Sequence, residues 1–195
     1  MSAPTLIMLA GPNGAGKTTF YRAYLQDRGL PFINADQLAL QLTLGAYEAA
    51  ELAAEMRYRL LEERVSFITE TVFSDPAGAK LAFLKKAVEQ GYVVTLIFIG
   101  LSSAALSKAR VQSRVGAGGH DVPEEKLSAR YERSLHNLSL AIHELPHVIV
   151  LDNSQSDDPF VFVADFQSGT LMRKAKTTIP VWVQRFIRKR RTKGR

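Results

Sequence analysis

The sequence contains no cysteine among its 195 residues, so it has neither a disulfide framework nor a thiolate metal site. No apolar run approaches the roughly 20 residues that a membrane-spanning helix needs. The first predicted strand begins within five residues of the N-terminus, which predicts no signal peptide. We therefore expect a cytoplasmic protein with no membrane span.

Acidic residues are absent from residues 173–195, a segment that contains ten Lys/Arg. The rest of the chain carries 15 basic and 19 acidic side chains, so the net charge of +6 comes from this segment alone. Such a segment is either a solvated end or a binding site for nucleic acid, an anionic membrane surface or an acidic partner. We divide the chain into a domain at 1–172 and a basic C-terminal extension at 173–195.

The glycine-rich segment 11–19, which follows the apolar run 6–10, matches G-x-x-x-x-G-K-[ST] at every fixed position. Glycine lets backbone N–H groups approach phosphates, and a helix beginning near Gly16 adds its positive dipole end. Lys17 is placed to reach the β- and γ-phosphates, and the Thr18 hydroxyl to bind Mg²⁺. The segment predicts binding of ATP or GTP by Gly11, Pro12, Asn13, Gly14, Ala15, Gly16, Lys17, Thr18 and Thr19.

Predicted strands alternate with predicted helices along most of the chain. Strands are expected at 6–10, 32–36, 65–69, 92–99 and 147–151, with a terminal hairpin at 160–166 and 170–172; helices are expected at 18–27, 44–64, 75–90, 102–114 and from 123. This alternation predicts an α/β fold of the P-loop NTPase class, a three-layer arrangement with a central parallel sheet, a helical lid, a C-terminal hairpin and a basic tail.

Acidic residues stand where two of these strands end. Asp36 ends the second and Glu70, followed by Thr71, ends the third. Because ligands bind at the carboxyl ends of parallel strands, both carboxylates, together with Asp152, are expected beside segment 11–18. Each is a candidate general base or substrate contact, and the alternative is that each caps the following helix.

The arginines of segment 110–134 predict a lid that neutralises transferred phosphate, with glycines as hinges. On a helical wheel Arg130 lies at the edge of the apolar stripe and Arg133 points away from it, and Arg114 precedes the glycine run 116–119. We rank Arg114 and Arg130 above Arg133 and Arg110. His120 is either a substrate contact or an ordinary loop histidine.

Trp182 and Phe186 lie four residues apart in the basic extension. They either stack nucleic-acid bases or pack a short helix at 181–187, begun by Pro180, onto the domain. We favour packing, and therefore expect weak or no nucleic-acid binding.

With these residues assembled, the chain resembles the zeta toxin family of P-loop kinases from residue 6 to about 153. The resemblance is carried by the motifs at 11–19, Asn-Ala-Asp at 34–36, Glu-Thr at 70–71, Arg114, Gly-Gly-His-Asp-Val-Pro at 118–123 and Arg-Tyr-Glu-Arg-Ser at 130–134. The first motif occurs in many NTPases, and the lid pattern is the more specific one. In length the chain is similar to the compact chromosomal members.

The resemblance implies ATP and Mg²⁺ as cofactors and phosphorylation of a small-molecule hydroxyl, for example on UDP-N-acetylglucosamine. It implies Asp36 as general base, Glu70 as a substrate contact, and Arg114 and Arg130 as contacts to the ATP phosphates. Lys17 is the further catalytic residue; Thr71 and His120 join Asp36 and Glu70 as predicted substrate contacts. An antitoxin protein is a candidate partner. The alternatives are a nucleotide-dependent binding module and a polynucleotide kinase that uses the basic tail.

Overall fold

The computed structural model describes residues 2–115, 124–176 and 178–187. Within these ranges the strands are β1 Thr5–Ala10, β2 Phe32–Ile33, β3 Phe67–Thr71, β4 Val93–Gly100, β5 Val148–Asp152, β6 Val161–Gln167 and β7 Thr170–Lys174. The α-helices are α1 Lys17–Tyr24, α2 Ala35–Leu42, α3 Ala46–Glu62, α4 Ala79–Glu89, α5 Ala104–Val115, α6 Glu124–Glu144 and α7 Val181–Ile187. A 3-10 turn, Gln26–Arg28, follows α1.

All seven strands belong to one sheet in the order β2-β3-β1-β4-β5-β6-β7. The first five are parallel, and β6 and β7 add an antiparallel hairpin. β1 lies between two parallel neighbours, and its residues 6–10 are all buried whichever face they point to. This two-sided burial explains the unbroken apolar run in the sequence. The predicted α/β fold with a central parallel sheet and a terminal hairpin is confirmed.

The prediction that a strand runs from 32 to 36 is wrong in its second half. β2 stops at Ile33, and the Asn34 side chain caps α2 by accepting a hydrogen bond of 3.1 Å from the Gln37 backbone N–H. α2 is a separate helix that the predicted helix 44–64 did not include, and Asp36 lies in its first turn. A polar cap followed three residues later by Gln is a helix-start signal that the sequence contained.

The C-terminal helix α7 packs on the sheet, which confirms the packing alternative. Trp182 and Val183 are buried in the main core. The Trp182 ring lies against Gly100 at the end of β4, and its Nε1 donates a hydrogen bond of 3.0 Å to Asp152 Oδ1 at the end of β5. The basic residues 188–195 lie outside the described ranges. Among the described helices, none combines the length and apolar character that a membrane crossing requires.

Gly100→Ala should destabilise the fold, because an added Cβ would overlap the Trp182 ring. We expect a loss of about 1–3 kcal/mol in the free energy of unfolding, as for other overpacked sites. Chemical denaturation measures it. In a Trp182→Ala background the same Gly100→Ala change should cost much less, and an equal cost in both backgrounds would contradict the contact.

Candidate active site

The segment between β1 and α1 has a backbone that its three glycines make possible. Gly11 has φ 143°, Gly14 has φ 73° and Gly16 has φ 82°, a region that other residues rarely adopt. A Cβ at Gly11 would overlap the carbonyl oxygen of Ile99 on β4, so this glycine is also required by the neighbouring strand. The segment therefore enters α1 as a tight loop against the end of β4, with Lys17 as the first helical residue.

Lys17 is buried although it is charged. Its Nζ donates a hydrogen bond of 3.1 Å to the Pro12 carbonyl oxygen across the loop and lies 3.9 Å from Glu70 Oε1. These contacts hold the ammonium group over the concave side of the loop. A buried ammonium at a helix start is suited to hold a polyphosphate.

Glu70 connects the loop to the start of α2. Its Oε2 accepts hydrogen bonds of 2.8 Å from both Thr18 Oγ1 and Asn34 Nδ2. Glu70 lies within β3 and caps no helix, and the α2 cap is Asn34. The helix-cap alternative is therefore wrong for Glu70 and for Asp36, while their chemical roles stay predictions.

A cleft of about 850 Å³ lies over the loop and extends past α2. Its lining includes Asp36 and Thr71 as well as the loop, so the structure brings the predicted carboxylates and the phosphate loop together. From β3 onward the cleft is also lined by Val72, Phe73, Ser74, Asp75, Pro76 and Lys80, and from α3 by Tyr47, Ala50 and Arg57. Sequence reasoning missed these two groups.

The ranking of the arginines by role stays a prediction, but the expectation that Arg133 points away from the site is wrong. Arg130 lines the cleft as predicted, but Arg110 and Arg133 line it too. Arg133 Nε donates a hydrogen bond of 2.9 Å to the Ser74 carbonyl oxygen, because α6 packs beside α4 and the loop before it. The helical wheel considered only the apolar stripe of α6 and not this neighbour. The Arg114 side chain and the whole of His120 lie outside the described residues.

Tyr131, between the two cleft arginines of α6, holds this helix against the end of β4. Its hydroxyl donates a hydrogen bond of 2.9 Å to the Leu101 carbonyl oxygen just after β4, and burial raises the pKa of the phenol to about 12. The phenol therefore stays a donor throughout the physiological pH range. This contact fixes α6 against the carboxyl end of the sheet, so that Arg130 and Arg133 reach the cleft.

Asn153 holds the loop from β5, and sequence reasoning missed it. Its Nδ2 donates a hydrogen bond of 2.9 Å to the Ala15 carbonyl oxygen, and its backbone N–H donates to Gly100. Its own carbonyl oxygen accepts a 2.7 Å bond from Arg110 Nη1. The preceding residue, Asp152, does not line the cleft and instead binds Trp182. α7 is thus connected through residues 152–153 to the phosphate loop.

Two oxygen donors stand beside Lys17 at the phosphate loop. The Thr18 hydroxyl and the Glu70 carboxylate are within hydrogen-bond distance of each other. A hydroxyl and a carboxylate are hard donors that suit Mg²⁺, which takes few protein ligands when phosphates supply the rest. The donor set fits the ion. Among the described residues there is no cluster of three or more His, Asp or Glu that would form an all-protein metal site.

Comparison with known proteins identifies the family. Residues 6–134, which contain the loop, both carboxylates and the start of α6, match the family model described as an AAA domain. The chain belongs to this family. It is also 29% identical over 130 residues to a Haemophilus influenzae protein described as uncharacterized, a match that covers 64% of this chain and 91% of that protein.

Two solved structures show the fold. The chain is similar to a chain of the AvrRxo1-ORF1:-ORF2 complex determined with ATP, with TM-score 0.67 and 20% identity. That match covers 86% of this chain but only 60% of the other, so the chain spans about three fifths of that relative. A chain of the PezAT chromosomal toxin–antitoxin system of Streptococcus pneumoniae matches with TM-score 0.55 and 18% identity, over 85% of this chain and 72% of that one. The fold is the α/β fold of the P-loop NTPase class.

Asn153→Ala should weaken nucleotide binding and stability together, because it removes the donor to the buried Ala15 carbonyl oxygen. A buried acceptor left without a partner costs about 1–3 kcal/mol. Calorimetric titration with ATP and chemical denaturation measure the two effects. Ser154→Ala is the neighbouring control, since the Ser154 hydroxyl binds Asp152 and not the loop. Wild-type ATP affinity in Asn153→Ala would contradict the role.

Proposed function

We propose that the chain is an ATP- and Mg²⁺-dependent phosphotransferase of the zeta-toxin type that acts on a hydroxyl group of a small molecule. The observation that carries the proposal is that Lys17 and Thr18 share one cleft with Asp36 and Glu70. A module that only bound nucleotide would need the loop and one carboxylate for Mg²⁺, but not the second carboxylate, Asp36, in the same cleft. An aminosugar nucleotide such as UDP-N-acetylglucosamine is the first candidate acceptor.

In this proposal the loop and Lys17 hold the β- and γ-phosphates of ATP. Asp36 accepts the proton of the acceptor hydroxyl as its oxygen bonds to the γ-phosphorus, and the bond from that phosphorus to the bridging oxygen of ADP breaks. Arg130 and Arg133 neutralise charge on the transferred group, with Arg114 and His120 as further candidates from the lid. Bound Mg²⁺, held by Thr18 and Glu70, would screen phosphate charge.

Glu70 has a positioning role in the proposal. It contacts Thr18 and Asn34 at once, so it sets the distance between the loop and the first turn of α2, where Asp36 lies. Thr71 follows it along the same lining and is proposed as an acceptor contact. The distance between bound ATP and the acceptor would then depend on the Glu70 carboxylate.

The nucleic-acid alternatives have less support. Trp182 is buried against Gly100, so it offers no open ring face on which a base would stack. An antitoxin partner is part of the proposal through the likeness to toxin–antitoxin structures. If the expressed wild-type chain inhibits growth and Asp36→Asn relieves the inhibition, the chain is toxic and an antitoxin partner is supported. Normal growth would count against such a partner.

Transfer of ³²P from γ-labelled ATP tests the proposed activity. The wild-type chain is incubated with purified UDP-N-acetylglucosamine and, separately, with a metabolite extract, and labelled products are identified. Lys17→Ala is the inactive control. A chain that binds ATP yet transfers no more label than Lys17→Ala in either reaction would overturn the proposal; label in the extract alone would reject only the candidate acceptor.

Asp36→Asn should reduce kcat by about 10²–10⁴ while leaving ATP affinity nearly unchanged, because a general base is lost and no loop contact is removed. Glu70→Gln should raise the acceptor KM and weaken ATP binding together, since Glu70 contacts the loop and Asn34. Steady-state kinetics and ATP titration separate the two patterns. Equal and mild effects of the two substitutions would contradict the assigned roles.

We propose residues 1–172 as the phosphotransferase unit, with α7 bound to it. Truncation after Ile187 should leave transfer to a small molecule unchanged, because it removes six of the ten Lys/Arg of the extension and none of the buried residues of α7. Deletion from 173 would also remove Trp182 and is expected to destabilise the protein. Loss of transfer on truncation after Ile187 would favour a substrate held by the tail.

A further inference from the structure

The cleft is more basic than the rest of the described surface would suggest. Its lining contains six basic and three acidic side chains: Lys17, Arg57, Lys80, Arg110, Arg130 and Arg133 against Asp36, Glu70 and Asp75. The chain outside 173–195 is mildly acidic by sequence. An excess of positive charge confined to a concave site attracts anionic ligands.

Four of these six cations already have protein partners. Lys17 binds within the loop, and Lys80 lies 3.8 Å from Asp75. Arg110 and Arg133 donate to backbone carbonyl oxygens that hold them at the cleft wall. These side chains are positioned by the fold itself.

Arg130, on α6, and Arg57, on α3, have no such partner among the described residues. Within the described part of the chain the Arg57 guanidinium forms neither a hydrogen bond nor an ion pair. Arg57 is half-buried, and burial lowers the pKa of its guanidinium, an effect that the charge interaction with Tyr58 opposes only in part. Removing a charge from water without a partner is costly, so such a group at a cleft indicates a charge supplied by a ligand.

The position of Arg57 separates it from the phosphate loop and the lid. α3 packs on α2 and β2, at one edge of the sheet, whereas α5 packs on α6 on the other side of β1. Tyr47, Ala50 and Arg57 share one face of α3, at helical spacing, and this face lines the cleft. Arg57 therefore enters the cleft from a different helix than the α6 arginines that are proposed to contact ATP.

We propose that Arg57 is the centre of an anion-binding subsite in the acceptor half of the cleft, so that the acceptor carries a phosphate or carboxylate group in addition to the hydroxyl that is phosphorylated. The subsite itself is argued from the described contacts. That its ligand is the acceptor rests on the proposed function. Guanidinium groups bind both anions in the same bidentate way, which is the chemistry that the two classes share.

Binding of inorganic phosphate tests the subsite without turnover. The protein is first saturated with Mg²⁺ and AMPPNP, a non-hydrolysable ATP analogue, so that the loop is filled, and ³²P-phosphate binding is measured by equilibrium dialysis. Arg57→Gln should weaken phosphate binding by at least about tenfold, as for a lost charge-assisted contact, and Arg57→Lys should weaken it less. Arg59→Gln is the matched control, because Arg59 is on the same helix, 81% exposed and paired with Glu63.

The outcomes decide separately on the subsite and on the proposed function. Phosphate binding that is absent in the wild type, or equal in wild type and Arg57→Gln, overturns the subsite. Arg57→Gln should keep wild-type AMPPNP affinity and an unchanged or higher Tm, since it removes an unpaired charge; loss of AMPPNP affinity would assign Arg57 to ATP and overturn the inference. Absence of ³²P transfer to any metabolite would reject the kinase and leave the phosphate measurement standing.

Fractionated extract identifies the anion. A metabolite extract is separated on an anion exchanger, and label transfer is expected with the retained fraction and not with the unretained one. Phosphatase treatment of the retained fraction, followed by removal of the phosphatase, should abolish transfer if the group is a phosphate monoester and leave it intact if it is a carboxylate or an esterified diphosphate such as that of UDP-N-acetylglucosamine. Transfer confined to the unretained fraction would overturn the inference.

Discussion

The parallel pairing of β1 with β3 is the constraint on which the candidate site depends. Its register places Glu70 opposite Leu9 and Thr71 opposite Ala10, immediately before the phosphate loop begins. Because side chains alternate between the faces of a sheet, a shift of one residue would turn Glu70 away from Thr18 and Asn34. β3 fixes that register, because residues 67–69 are buried and a one-residue shift would bring the Glu70 carboxylate into their place in the core.

The phosphate loop is held in place by residues of other strands as well as by its own contacts. Gly11 lies against β4, and Asn153 from β5 donates to the Ala15 carbonyl oxygen. Behind Asn153, Asp152 accepts a hydrogen bond from Trp182, so the C-terminal helix supports the strand end that supports the loop. Such second contacts matter because a phosphate site loses binding energy when its backbone donors move. A short helix remote in sequence is therefore part of the structure of the nucleotide site.

The charges of the cleft divide along the sheet. On the side of α5 and α6, Arg110 and Arg133 are fixed by carbonyl oxygens at the cleft wall, where a nucleotide held by the loop would extend. On the side of α2 and α3, Asp36 and Arg57 face the same space with opposite charge. In the proposed function, an acceptor that fits this half would present a hydroxyl to Asp36 and an anionic group to Arg57. Recognition of the acceptor would then be separate from recognition of ATP.

The sequence alone determined the fold class, the phosphate loop and the approach of Asp36 and Glu70 to it, because these follow from local patterns and from the rule that parallel strands end at one edge. It also predicted the packed helix at 181–187. It did not determine the break between β2 and α2, which depends on one cap by Asn34, or the place of Arg133, which depends on how α6 lies beside α4. Arg57 and Asn153 have no sequence signal at all: their significance comes from which charges and carbonyl oxygens surround them. Only tertiary structure brings those neighbours together, since they are separated along the chain by tens of residues.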